Sequence, residues 1–337
     1  MKPMKELRPV GILATGSYTP ERVLTNFDLE KMVETSDEWI VTRTGIRERR
    51  ISAPDQASSD LAYEAAKNAL AKAGISPEEL DMIIVATVTP DMMFPSTACI
   101  LQEKLGASRA AALDVSAACT GFLYGIATGS QFIANGLYRY VLVVGVETLS
   151  KITNYKDRNT CVLFGDGAGA ALLGPVGEGF GFQAFELGAD GSGGPLLCMP
   201  AGGSRIPASS ESVEKNLHYI SMTGSEVFKF AVRVMNSATE AVLEKSGTPK
   251  EAIDLLVPHQ ANKRIIDAAI QRFGLSEDKV AINLDRYGNM SSASIPVALD
   301  EAVAEGRLKE GDNVVLVGFG GGLTWGAALL KWSTTPA

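Results

Sequence analysis

Nucleophilic or acid–base chemistry has few side chains to draw on here, because 337 residues include only four cysteines and two histidines. Cys119 stands in the run LDVSAACTGFLYGIATG, where a buried-strand pattern gives way to a helix pattern with small flanking residues. A thiol at such a junction meets unpaired backbone N–H groups and the positive end of a helix dipole. Together these lower its pKa from about 8.5 toward neutrality. Cys99, Cys161 and Cys198 lack that combination, and a free cysteine otherwise serves as a small buried hydrophobe. His259 follows an apolar run in VPHQAN, and Asn289 sits beside Gly288 in RYGNMSSAS. A backbone-satisfied core histidine and a turn asparagine are the ordinary readings, so a catalytic role for either depends on the fold bringing it to Cys119.

The elements that must do so are short, continuous β-branched runs: MIIVATV from Met82, YVLVVGV from Tyr140, DLLVPH from Asp254 and NVVLVGFG from Asn313. Such runs suit strands buried on both faces. Amphipathic stretches starting at Ser59, Thr223 and Ala293 alternate with them, which predicts an α/β layered architecture. The net charge of −8 argues against nucleic acid and membrane surfaces as partners, since both are polyanionic. No stretch matches a membrane span, MKPMKELRPVGILATG carries no leader pattern, and scattered cysteines without CxxC suit a reducing compartment, so a cytoplasmic location is expected. With two histidines, no metal cage is expected either.

The two halves resemble each other. AKAGISPEELDMIIVATVTP is similar to EKSGTPKEAIDLLVPHQAN, with Asp81 and Asp254 lying 173 residues apart, and VLVVG from Val141 matches VVLVG from Val314 at the same spacing. Several matches in register indicate an internal duplication, here divided into residues 1–178 with the cysteine and 179–337 with the histidine and asparagine. Shifting Cys119 by about that spacing reaches RYGNMSSAS, so Asn289 is expected at a comparable junction facing it, with His259 at the C-terminal end of its strand.

Long motifs then carry a family resemblance: TSDEWIVTRTGIRERR at 35–50, SAACTGF at 116–122, DRNTCVLFGDGAGA at 157–170, AGGSR at 201–205, VPHQAN at 257–262, YGNMSSASIP at 287–296 and GFGGGLTWG at 318–326. The chain resembles the β-ketoacyl-[acyl-carrier-protein] synthase III enzymes of bacterial fatty acid synthesis, over nearly its whole length. The resemblance implies a duplicated thiolase-like fold, layered α-β-α-β-α, and a triad of Cys119, His259 and Asn289. It also implies an acyltransferase that condenses a short acyl-CoA with malonyl-acyl-carrier protein. That decarboxylative Claisen reaction gives a 3-oxoacyl-acyl-carrier protein, coenzyme A and carbon dioxide. Acyl-CoA is a substrate, so no cofactor is implied.

Further roles follow from the same resemblance. Cys119 and Gly321 would supply an oxyanion hole; Trp39, Arg43, Arg158 and Asn262 would contact coenzyme A. Gln260, Ala261, Asn262, Lys263 and Arg264 would meet the carrier protein, a surface that Lys229 extends if its helix aligns with that segment, and Phe94 would close a partner's acyl pocket across a homodimer. Apart from the resemblance, the weakly regular stretch from about 182 to 220 is unusually long for a plain connector, which points to a role in shaping the tunnel mouth. Three competing readings remain at this level: a CoA-dependent condensing enzyme of secondary metabolism, a carrier-binding protein without catalysis, and a cysteine peptidase. A peptidase needs a base and water, whereas two N–H donors facing an enolate suit condensation better.

Overall fold

Glycine spacing decides how the layers close. In the computed structural model, which describes residues 7–337, Gly121, Gly125 and Gly129 share one face of the helix Gly121–Ala134. A Cβ on them would lie 2.9 Å from Ala86 Cβ, 2.8 Å from Val143 Cγ1 and 3.0 Å from Val141 Cγ1. The helix therefore rests directly on the strands Met82–Ala86 and Val141–Thr148. A second helix, Ser294–Ala304, docks on the same sheet where Gly169 leaves no room for a side chain beneath Pro296, and Gly145 does the same beneath the Ser292 carbonyl just before that helix.

The sheet beneath has five strands in the order Val10–Tyr18, Asp166–Pro175, Val141–Thr148, Met82–Ala86 and Ala111–Val115. The second sheet has four, ordered Leu255–Pro258, Asn313–Gly320, Thr324–Lys331 and Gly181–Ala189. The first sheet sets three neighbouring strands in parallel and the second two, each extended by two antiparallel strands, and the fifth position of the second sheet shrinks to a single bridge between Leu256 and Val280. The two inner helices fill the space between the sheets in one apolar cluster shared by both halves. Outer helices cover the far faces: Ser58–Ala73 and Thr97–Leu105 on the first, Gly224–Ser246 and Lys263–Phe273 on the second. The order is α-β-α-β-α, the layering that the family resemblance implies and a form of the α/β architecture the sequence pattern predicts.

Three features go beyond the sequence reading. The stretch called irregular opens with a nine-residue strand, Gly181–Ala189, whose Gly-rich, weakly alternating pattern hides its pairing with Thr324–Lys331. The segment 22–51 leaves the first half and packs its Leu24, Leu29, Ile40 and Ile46 into the outer core of the second. The chain passes from the first sheet at Pro175 to the second at Gly181, yet the halves share a core and do not stand apart. Residues 1–6 of the N-terminal stretch lie outside the described residues, and no helix among the described residues is long and apolar enough to cross a membrane.

Candidate active site

The inner helices start at Gly121 and Ser294, each after a one-turn 3-10 segment, Ala118–Thr120 and Ser291–Ala293. Both segments open on a residue in the left-handed region, Ala118 at φ 47° and Ser291 at φ 45°. Such a backbone costs about 1–3 kcal/mol for a non-glycine residue and forces a sharp exit from the preceding strand. These matched kinks are 173 residues apart, so the register sets Ser292 opposite Cys119 and places Asn289 just before the kink.

Cys119 is buried at the floor of two cavities. One, of about 120 Å³, is apolar and lined by Cys119, Leu149, Ile152, Leu197, Met199 and Ile220 among others. The other, of about 100 Å³, joins Cys119 to His259 and Asn289. Phe164 and Leu197 border both. The stretch after Gly181–Ala189 thus supplies cavity wall through Leu197, Cys198 and Met199. Cys198, set aside on its sequence, shares the apolar cavity with Cys119, whereas Cys161 is buried in the core near Arg49 and Cys99 is exposed.

His259 follows the strand Leu255–Pro258, donates its backbone N–H to Val317 O at 2.8 Å, and stands edge-on to Phe319. Both ring nitrogens are buried without a partner among the described residues. Burial drives its pKa down to about 3, so the ring is neutral across the physiological range. Asn289 is fixed from both ends: its N–H donates to Leu163 O at 2.9 Å, and its carbonyl accepts from Gly165 N–H at 3.0 Å. Its Oδ1 accepts from Ser291 N–H at 2.8 Å, and its Nδ2 donors have no partner among the described residues while the residue lines the cavity. The clamp itself depends on Arg49, fully buried, which donates to Val162 O at 2.7 Å and to Asn26 Oδ1 at 2.8 Å. Two long sequence motifs thereby meet for a mechanical reason.

The Cys119 thiol departs from expectation. Burial pushes it up to about 12, and the negative charge of Glu147 adds to the rise, while a contact with Ser291 works against it. The helix start is present but does not outweigh the loss of water, so the resting group is a thiol. Gly320 presses on the same turn: a Cβ there would lie 2.7 Å from Cys119 N, and Gly321 lines the apolar cavity beside it.

Other expected contacts divide. Trp39, half-buried, carries the Arg158 guanidinium 4.6 Å above its ring, so a base stacking on Trp39 has to displace that cation. Asn262 caps Lys263–Phe273 by accepting from Arg264 N–H at 2.9 Å and donates to Arg43 O at 3.0 Å, which ties the helix Asp37–Thr44 to the cavity rim. Gln260 is corrected: it is fully buried, donates to Pro258 O and Ala281 O, and accepts from Asn283 N–H, so it holds the strand end and offers nothing at the surface. Ala261 is half-buried and lines the cavity with Asn262. Lys263 pairs with Asp267 and Lys229 with Glu226, whereas exposed Arg264 lies over Phe228 at 5.2 Å with no carboxylate partner among the described residues. His218 bonds Ser212 away from the site. Among the described residues no cluster of three metal-ligating side chains occurs.

Comparison with known proteins gives the family. Residues 113–191 match the 3-oxoacyl-[acyl-carrier-protein] synthase III family, and residues 243–332 match its C-terminal domain. A β-ketoacyl-[acyl-carrier-protein] synthase III of Caldanaerobacter subterraneus is 65% identical over 98% of this chain and 100% of its own length. The chain belongs to this family. Among solved structures, the synthase III of Thermus thermophilus superposes with a TM-score of 0.90 at 52% identity, covering 96% of this chain and all of that one. That of Aquifex aeolicus gives 0.89 at 48% identity over the same shares. As a synthase III, the chain is an acyltransferase with the thiolase-like fold, and the paired kinks are that duplication seen at the site.

Proposed function

We propose that this synthase carries the primer acyl group on Cys119 and stabilises the attacking enolate with His259 and Asn289. The chain catalyses the initiating condensation of an acyl-CoA with malonyl-acyl-carrier protein. The observation that carries the assignment of roles is the placement of Cys119 between two cavities, one apolar and one holding unpartnered N–H donors. The apolar cavity takes the acyl chain. Thioester exchange onto the sulfur is nearly isoenergetic, because one thioester replaces another. Loss of carbon dioxide from the malonyl group then develops negative charge on an enolate oxygen. A neutral imidazole N–H and the Asn289 amide meet that charge without first being desolvated, since both are already out of water. Cys119 and Gly321 serve the other oxyanion, at the acyl carbonyl.

Coenzyme A is read as held at Trp39, Arg43, Arg158 and Asn262, and the carrier protein as docking on Arg264, with Lys263 and Lys229 as weaker, already paired contributors. A split in kinetic constants tests this. Trp39→Ala is expected to raise KM for acyl-CoA about tenfold, and Arg264→Glu to raise KM for the malonyl carrier protein about tenfold, each leaving the other constant near wild type. Two variants that move both constants equally would contradict the assignment.

Met93 and Phe94 are 77% and 85% exposed, an apolar pair beside half-exposed Met92. Such a patch marks an interface, and we read it as the contact of a homodimer in which Phe94 reaches the partner's acyl pocket. Sedimentation at working concentration is expected to show a dimer; an active monomer would remove the reading. A cytoplasmic location and the absence of any cofactor complete the proposal.

A further inference from the structure

One buried charged group has no part in the chemistry so far. Glu147 is the only ionisable residue in the strand Val141–Thr148 and is fully buried. No cation pairs with it among the described residues; neutral donors from both halves hold it instead. From the first half, Val88 N–H and the Thr89 hydroxyl donate to Oε2 at 3.1 and 2.7 Å. From the second, the Ser291 hydroxyl donates to Oε1 at 3.0 Å, and the Ser292 hydroxyl divides its proton between Oε1 at 3.0 Å and Ala86 O at 2.8 Å. An ionised carboxylate only accepts, and its two oxygens can serve all four donors, whereas an amide would set N–H groups against two of them.

Two of those donors lie on the kink before the second inner helix. Ser291 has φ 45°, and a non-glycine residue stays in the left-handed region only where its surroundings hold it there. Its backbone N–H donates to Asn289 Oδ1 at 2.8 Å. That bond decides which end of the Asn289 amide is left to meet charge in the cavity. With Oδ1 taken by the backbone, the Nδ2 donors are the free end; rotated by half a turn, the amide would offer an oxygen to the enolate and repel it. The equivalent kink at Ala118 carries no hydroxyl and follows no asparagine, so the tie to a carboxylate belongs to the half that supplies the amide.

We propose that Glu147 is a positioning residue for the enolate-stabilising amide: by holding the Ser291 and Ser292 hydroxyls it fixes the left-handed kink, keeps the Ser291 N–H on Asn289 Oδ1, and so presents the Nδ2 donors to the enolate. The proposal rests on Asn289 meeting the enolate, as proposed above. Glu147 lines neither cavity and acts only through these bonds. Val88, whose N–H meets the same carboxylate, does line the acyl cavity, so the competing role for Glu147 is to shape that wall. The two roles fall on different half-reactions. Loss of a cavity wall acts on transfer of the acyl group to Cys119, whereas loss of the amide's orientation acts on attack by the enolate.

A double-mutant cycle on the full-length enzyme tests this. The rate read is the single-turnover reaction of acetylated enzyme with malonyl-carrier protein, with acetylation of Cys119 by acetyl-CoA measured beside it. Glu147→Gln keeps the side-chain volume but sets N–H groups against its donors, and should slow condensation about 10–100-fold, as misplacing a catalytic donor does. Acetylation of the same variant should hold at the wild-type rate or rise, because the negative charge of Glu147 works against the Cys119 thiolate. Asn289→Ala alone should slow condensation about 10²–10³-fold. In the double variant, Glu147→Gln should add less than about threefold to that loss, since the group it positions is gone. Ser291→Ala removes the same tie from the other side, on a backbone that Ala118 already adopts at φ 47°, and should follow the same pattern; it decides the question if Glu147→Gln does not fold. Losses that multiply in the double variant, an unchanged condensation rate in the single one, or a slowing confined to acetylation would each overturn the proposal. A condensation rate unmoved by Asn289→Ala would instead remove the reading of Asn289 on which it rests.

Discussion

Cys119→Ala is expected to form no acyl-enzyme and to lower condensation by at least about 10³-fold. The size of the loss follows from the two cavities. On the proposed roles, the primer is parked in the apolar cavity on the sulfur, and coenzyme A departs before the malonyl donor enters. Without it, acyl-CoA and the malonyl arm must both reach the same floor, and the cavity holding His259 and Asn289 is only about 100 Å³. The variant keeps both enolate-stabilising donors, so slow decarboxylation of the malonyl donor should persist while no carbon–carbon bond forms. A Cys119→Ala protein that condenses within tenfold of wild type would mean the acyl group is never held by this sulfur.

His259→Ala and Asn289→Ala are expected to fail at the opposite step. Each should reduce condensation by about 10²–10³-fold, roughly 3–4 kcal/mol, while transfer of the acetyl group from acetyl-CoA to Cys119 survives. Because burial holds His259 at about 3, protonation of this ring is unfavourable throughout the neutral range. No inflection near about pH 6.5 should therefore arise from His259 in the condensation rate, and the neutral N–H form is already fully populated at pH 7. Stopped-flow measurement of the two half-reactions separates these effects. If either variant loses acylation and condensation equally, the donors act on the acyl carbonyl or on folding, and the division of labour proposed here is wrong.

Much of the site could be read from residue order because the duplication converts sequence spacing into facing positions. Val141 and Val314 lie in equivalent strands, and the kinks at Ala118 and Ser291 keep the same spacing. Long-range packing was less legible. Nothing local marks Gly181–Ala189 as a strand, since its pairing partner is at the other end of the chain. Gln260 sits in a motif rich in surface residues, and only the tertiary fold shows its side chain turned inward to three backbone partners. The Cys119 thiol is hard to read for a similar reason: the helix start is visible in sequence, but the burial that outweighs it involves residues distant in the chain, among them Leu149, Leu197 and Gly321.

The most direct test of the central claim is to incubate the wild-type protein with acetyl-CoA and no malonyl donor, then locate any covalent acetyl group by peptide mapping. One acetyl group is expected, on Cys119, and it should be discharged as a 3-oxoacyl product when malonyl-carrier protein is added. An acetyl group on Cys198 or elsewhere, or product formed with Cys119 never acetylated, would contradict it.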